Sequence, residues 1–513
     1  MPLDLAMVAA LMAGILLGYP VSFTIAGTAT AFAILGAATG QFDFALMGAL
    51  GQRVFGLLTN QTLIAIPLFV FMGVMLEKSR IAEDLLETMG ALFGRLRAGL
   101  GISVVLVGAL LAASTGIVGA TVIAMGLIAL PTMLRNGYQP RLASGLVATA
   151  GTLGQIIPPS TLLIILSDVM SNAYQQAQFA EGKFTIETIS VGQIFAAALM
   201  PGLVLVAIYI AYLVLRARLD PAAAPALTGI EAPDAARIAA AIAPPILLIV
   251  AVLGAILGGI ATPTEAASVG AVGAVLMAGH RLGAPPWLIL AGAAAFLALA
   301  LAAGLAPVRL QRSDTGAAEW AQGAAYAALA LIGLAATAAA LARSARGAIL
   351  APALTQTMTV TAMIFATILT AGIFALVFVG LGGDQRVEGL LEAMPGGPTG
   401  ALLFAMALIF ALGFFMDFVE ITVIVLPLVV PTLILMGHDP VWLAVLIAIN
   451  LQTSFLTPPF GFSLFYLRGA APPEVTTLTI YAGVAPFVGL QLLGIAAIWA
   501  LPAIATWLPG MLY

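Results

Sequence analysis

Residues 131–160 read PTMLRNGYQPRLASGLVATAGTLGQIIPPS, and residues 431–460 read PTLILMGHDPVWLAVLIAINLQTSFLTPPF. Pro131 pairs with Pro431, Thr132 with Thr432, Gly137 with Gly437, Pro140 with Pro440, and Pro158–Pro159 with Pro458–Pro459, all at an ungapped offset of 300. Self-similarity of this kind marks an internal repeat. A proline in a helix interior costs about 3 kcal/mol or more, because it lacks the backbone N–H and clashes with the preceding turn. Both double prolines nonetheless sit in runs apolar enough to be buried in lipid. Irregular backbone at membrane depth is tolerated only where protein buries it or a wet cavity borders it. Paired broken helices in two halves therefore point to a transporter's binding site near the bilayer midplane. Unwound carbonyls there can ligate a cation, and helix N-termini can hold a carboxylate.

Composition sets the class. The 513 residues are 62% hydrophobic and only 8% charged, with mean hydropathy +1.15, whereas a soluble domain carries about 25% charged residues. The expected fold is an all-α polytopic membrane protein. A net charge of −4 without a basic block argues against nucleic acid as a partner. The absence of Cys excludes disulfides and thiolate metal sites, and His280 and His438 lie too far apart in sequence to suggest a His-based cluster. There is no H-E-x-x-H, Cys nucleophile or P-loop. No enzyme chemistry is indicated, no organic cofactor is expected, and the energy source is read as an ion gradient. The N-terminus has no Lys or Arg before its apolar run, so it is expected to be a retained span rather than a cleaved signal.

A span needs about 20 apolar residues. Candidates are 3–19, 20–38, 61–77, 189–216, 237–261, 264–280, 287–304, 321–342, 352–381 and 475–508. Segment 42–58, with Arg53, reads as an interfacial helix. The longest polar loops are 78–97, 172–188, 217–236 and 382–397. With the N-terminus outside and 98–134 entering and leaving on one side, 13 of the 18 basic residues fall inside; only Arg53, Lys183, Arg309, Arg312 and Arg386 fall outside. The charge pattern thus favours a re-entrant hairpin over 98–134. Its counterpart at 398–434 opens to the opposite side, which makes the repeats inverted.

Each hairpin has a polar or small-residue tip: AASTGIVGAT (112–121) in the first half and GFFMDFVEIT (413–422) in the second. Together with IPLFVFMG (66–73), GTLGQIIPPS (151–160), ATPTEAASVG (261–270) and LTPPFGFSLF (456–465), these stretches resemble the large membrane subunit of TRAP (tripartite ATP-independent periplasmic) transporters, in the family's order and over nearly the whole chain. The resemblance implies a bacterial inner-membrane importer of carboxylates driven by sodium ions. It also implies an elevator-type fold similar to divalent-anion/sodium symporters. Expected partners are a small four-helix membrane subunit, a periplasmic substrate-binding protein, the organic-acid substrate and the lipid bilayer.

Carried onto this sequence, one sodium site would involve Ser114, Thr115 and Gly116 with Gly151 and Gly154; the other, Gly413 and Asp417 with Asn450, Thr453 and Thr457. The substrate would lie between them, near Ser114, Thr115, Thr152, Ser160, Thr161 and Asp417. The implied division places scaffold and arm helices in 1–97, transport elements in 98–171 (hairpin 98–134, broken helix 141–171), and scaffold helices in 172–397 with connector 217–236. The second transport elements occupy 398–468 (hairpin 398–434, broken helix 441–468), followed by a C-terminal helix in 469–513. Segment 287–342 departs from the family's usual spacing by two added helices. These are too few to be a fused small subunit, which is expected as a separate chain.

Each residue also has a plainer reading. Ser, Thr and Gly pack helices closely in membranes, and intramembrane prolines often only kink. An intramembrane carboxylate costs about 2.5–3.5 kcal/mol on insertion scales, so Asp417 and Glu420 require a reason: sodium ligation, proton coupling, or capping of the hairpin tip. The main functional alternative is a stand-alone sodium-coupled carboxylate symporter needing no binding protein. GLGGDQRVEG (380–389) and GFFMDFVEIT (413–422) resemble large subunits linked with 2-oxo or 2-hydroxy monocarboxylates.

Overall fold

With no water to satisfy backbone N–H and C=O groups inside a bilayer, apolar runs of this length must be helical. The computed structural model describes residues 2–115, 118–183, 185–227, 233–308 and 316–513, the side chains of 112–115 excepted. Among the described residues the regular structure is helical, and nine helices are long and apolar enough to cross a membrane.

The first half opens with α1 (Leu3–Leu16), α2 (Val21–Ala38), α3 (Leu50–Leu58), α4 (Ala65–Lys78) and α5 (Ile81–Phe93). The arms α6 (Gly99–Thr115) and α7 (Val118–Arg135) then pack against each other. They are followed by α8 (Pro140–Thr152), α9 (Thr161–Ala180) and the long α10 (Val191–Leu219). The middle of the chain holds α11 (Ala235–Leu257), α12 (Pro263–Arg281), α13 (Pro286–Leu305), α14 (Ala317–Arg346) and α15 (Leu350–Gly380). The second half contains α16 (Gly383–Glu392), α17 (Gly397–Leu412), α18 (Phe418–Glu420), a π-helical turn at Ile421–Val425 and α19 (Leu426–Leu435). It ends with α20 (Pro440–Leu456), α21 (Phe462–Ala470), α22 (Thr477–Ala500) and α23 (Ala503–Leu512).

The repeated PT…G…P stretch is a helix stop and restart. Gly137 and Gly437 take positive φ (78° and 95°), a conformation open to glycine at no steric cost. Beyond them, the N–H groups of Tyr138 and His438 donate to Met133 O and Leu433 O, closing each helix in the same way. Pro140 and Pro440 then occupy the first helical position, where a missing N–H costs nothing. Residues 223–227 of the connector lie against the first hairpin: Leu227 N donates to Gly94 O at 2.7 Å, Ala98 N to Ala224 O at 3.0 Å and Gln139 N to Ala223 O at 3.0 Å.

The two halves interlock reciprocally. The returning arm α7 packs on α21, and its counterpart α19 packs on α9. Likewise α10 packs on α20, and α22 on α8. The α8–α22 contact is backbone to backbone: a Cβ at Gly145 would lie 2.1 Å from Gly483 O.

Four sequence expectations are corrected. The helix α9 runs on to Ala180, through the first half of the polar loop 172–188, and the polar loops 78–97 and 382–397 contain the helices α5 and α16. In IAEDLLETMGALF the buried Leu85, Leu86 and Met89 form one face, and Glu83 and Asp84 occupy the first turn, where the helix dipole favours acids. Read for charge alone, such a segment resembles a loop. The expected single C-terminal helix is two, because Leu501 is held out of helical geometry (φ −129°, ψ 74°) before Pro502.

Candidate functional site at the paired helix breaks

Each double proline lies in a break between two helices. In the first half α8 tightens to a 3₁₀ turn at Leu153–Gln155, and the chain is non-helical until Thr161. In the second, α20 ends at Leu456 and α21 begins at Phe462. Both Pro–Pro peptide bonds are cis. One freed carbonyl in each break is taken by a serine hydroxyl from downstream: Ser160 Oγ donates to Gln155 O at 3.0 Å, and Ser463 Oγ to Phe455 O at 2.6 Å. Gln155 and Phe455 are repeat-equivalent positions. Ser160, expected at the substrate, thus has a buried structural bond. It makes no side-chain cap on α9, so the first N–H groups of α9 start inside the protein without one.

The first break meets the last turns of α20. The 3₁₀ turn at Leu153–Gln155 packs on α20, and Gln452 Nε2 donates to Thr152 Oγ1 at 3.4 Å. Thr152 in turn donates to Thr149 O at 2.8 Å. Around this contact several fully buried polar atoms have no hydrogen-bond partner among the described residues: both amide atoms of Gln155, Thr161 Oγ1 and Gln452 Oε1. An unpaired buried polar group costs about 1–3 kcal/mol, which makes this cluster a candidate binding place. Thr152 and Thr161 were anticipated from the sequence. Gln155 and Gln452 were missed, although Gln155 is the one long polar side chain between Leu142 and Leu166.

The second hairpin closes on its break through aromatic rings. Phe415 lies 5.3 Å from Phe460, and Phe418 lies 6.5 Å from Phe455, by ring centroids. Gly413 permits the approach, since a Cβ there would come within 2.0 Å of Ser454 Oγ. Asp417 and Glu420 form a capping box: Asp417 Oδ1 accepts from Phe418 N at 2.7 Å, and Glu420 Oε2 accepts from Asp417 N at 3.1 Å. The two acids satisfy backbone donors where the chain re-enters the helix. The same box stands in ATPTEAAS, where Thr262 and Glu265 cap α12.

Asn450 donates Nδ2 to Met406 O at 2.8 Å, tying α20 to the hairpin arm α17. Thr453 and Thr457 donate to Ile449 O and Thr453 O, each at 2.7 Å. A hydroxyl bonded this way retains its oxygen lone pairs. Gly151 packs α8 on α7, with Val122 Cγ2 2.4 Å from where a Cβ would stand, and Gly154 is buried in the 3₁₀ turn. Gly116 and the side chains of Ser114 and Thr115 lie outside the described residues.

A further acid was also missed. Asp168 on α9 accepts from Asn60 Nδ2 at 2.8 Å. Cavities of about 330 and 460 Å³ adjoin it, the larger also reached by Arg53. The signal was SDVMSN at 167–172, polar residues following the first break.

This architecture is that of a multi-pass membrane transporter. The Alcanivorax borkumensis YdaH transporter has a similar fold (TM-score 0.55, 16% identity, covering 90% of this chain and 88% of that one). Over residues 8–284 and 290–504 the chain matches the tripartite ATP-independent periplasmic transporter, DctM component, and it belongs to that family. It is 28% identical to the C4-dicarboxylate TRAP transporter large permease protein DctM of Vibrio cholerae, covering 91% of this chain and 90% of that one. It is 25% identical to the ectoine TRAP transporter large permease protein TeaC of Halomonas elongata, covering 99% of each. The chain is therefore a transporter subunit, not an enzyme, and works within a system that has further components.

Proposed function

We propose that this chain imports an organic acid across the bacterial inner membrane, driven by a sodium gradient, after delivery from a periplasmic binding protein. The observation that carries the reading is the cluster of buried polar atoms, unpaired among the described residues, where α20 crosses the first break: the Gln155 amide, Thr161 Oγ1 and Gln452 Oε1. A carboxylate supplies acceptors for the Gln155 amide and for the uncapped N–H groups of α9, where the helix dipole also favours an anion. C4-dicarboxylate and ectoine, named for the relatives above, both carry a carboxylate.

Sodium would bind beside each hairpin tip: at Ser114, Thr115 and Gly116 with Gly151 and Gly154, and at Gly413 and Asp417 with Asn450, Thr453 and Thr457. The free lone pairs of Thr453 and Thr457 suit a hard cation. The hairpins and broken helices would move as one body against a scaffold formed by the remaining helices, and the inverted arrangement of the repeats would give the two access states. The reciprocal contacts of α7 with α21 and of α19 with α9 support that reading. A small four-helix membrane subunit would complete the complex as a separate chain.

The test is uptake of candidate acids into proteoliposomes holding both membrane subunits and the binding protein, with and without a sodium gradient. Uptake that persists unchanged without sodium rejects the coupling. Uptake by this chain alone favours the stand-alone symporter.

A further inference from the structure

Away from the paired breaks, a cavity of about 360 Å³ lies between the first turns of α5, the first turns of α11 and the end of α12. Its charged rim holds Asp84, Glu87, Arg237 and Arg281. Arg281 is committed: it pairs with Asp84, and its Nε donates to Ser79 O at 2.8 Å. Arg237 and Glu87 have no ion-pair partner among the described residues. The cavity thus presents one free cation and one free anion.

The inner wall adds a second feature. Ala240, Ala241, Pro244 and Pro245 all line the cavity. A helical carbonyl accepts from the N–H four residues on, and proline has none. Two consecutive carbonyls, Ala240 O and Ala241 O, therefore lack their helical donors. Beyond this point α11 turns a bare apolar face outward, with Leu247 65% and Val250 60% exposed. The cavity is at the end of the molecule that carries Lys78, Arg80, Arg237 and Arg281, which the charge pattern assigns to the cytoplasmic side.

We propose that this cavity binds one phospholipid of the cytoplasmic leaflet whose headgroup carries both a phosphate and a primary ammonium. The phosphate meets the Arg237 guanidinium. The ammonium donates to the Glu87 carboxylate and to the carbonyls of Ala240 and Ala241, using the three N–H bonds that a primary ammonium has. The acyl chains continue along Pro244, Pro245 and the exposed face of α11. A purely anionic headgroup leaves Glu87 and the two carbonyls without a donor. A choline headgroup has the charge but no N–H.

The test is competitive lipid retention, read by native mass spectrometry on the delipidated full-length chain in detergent. The added lipids are dioleoyl phosphatidylethanolamine, phosphatidylcholine and phosphatidylglycerol. The ethanolamine lipid is expected to be retained about tenfold better than the choline lipid, the size of one charged hydrogen bond. Glu87→Gln is expected to erase that preference. Pro245→Ala, which returns an N–H to Ala241 O, is expected to reduce it. Arg237→Gln is expected to weaken retention of all three lipids. Equal retention of the three lipids by the unmodified chain overturns the proposal. So does tighter retention of phosphatidylglycerol, or an unaltered preference in both Glu87→Gln and Pro245→Ala. Melting temperature in detergent, measured alongside, identifies any variant that has merely lost its fold.

Discussion

Gln452 donates to Thr152 across 3.4 Å, and these two residues occupy the same position in the two repeats, 300 residues apart. This hydrogen bond joins α20 to the end of α8 at the first break. The side chains of Gln155 and Thr161 next to it have buried polar atoms without a partner among the described residues.

Gln155→Leu separates folding from transport. Its amide has no partner to lose, and exchanging an unpaired polar group for an apolar one of similar volume is close to neutral or stabilising. The expected result is normal expression and melting temperature with uptake reduced about tenfold or more, the loss of one hydrogen bond to a charged group. Wild-type uptake would remove Gln155 from the site.

Ser160→Ala and Ser463→Ala are expected to destabilise by similar amounts. Each strips the bond from a buried carbonyl in a break, at about 1–3 kcal/mol, read as a lowered melting temperature in detergent. A large effect from one variant and none from the other would show that the two breaks are held by different means.

Gly413→Ala drives a methyl group into Ser454 Oγ and is expected to cost about 1–3 kcal/mol, as overpacking does. The double variant Gly413→Ala/Ser454→Gly should recover most of that loss. Failure to recover would mean that the hairpin tip, rather than its contact with α20, is the strained element.

Asp417→Asn distinguishes capping from ligation. Asn caps a helix as well as Asp does, so stability should hold. If the carboxylate also binds sodium, the sodium concentration for half-maximal uptake should rise about tenfold, as for one charge-assisted contact. Glu420→Gln preserves the capping box and should leave that concentration unchanged. An identical sodium response in wild type and Asp417→Asn would restrict Asp417 to the cap.

Much of the architecture was legible because lipid permits few solutions: length and hydropathy marked most spans, and the double prolines marked both breaks. The glycine turns at Gly137 and Gly437 were legible for a local reason, a positive φ next to an N1 proline. What failed was whatever depends on a distant partner. Gln155 and Gln452 were not singled out because their meaning arises where α20 crosses the first break. Asp168 was passed over because Asn60, its partner, lies 108 residues away. Asp417 and Glu420 were noticed for their charge, while their spacing of three, the capping-box signature, was weighed less than their depth.

The crossed packing of returning arms also governs how the protein is made. During synthesis α9 emerges long before α19, and α7 long before α21, so these two contacts cannot form until the second half has been inserted. The nascent first half must wait in the bilayer with the partner faces of α7 and α9 uncovered, until α19 and α21 have followed. Severing the 217–236 connector would therefore yield two fragments that recover activity only when produced together.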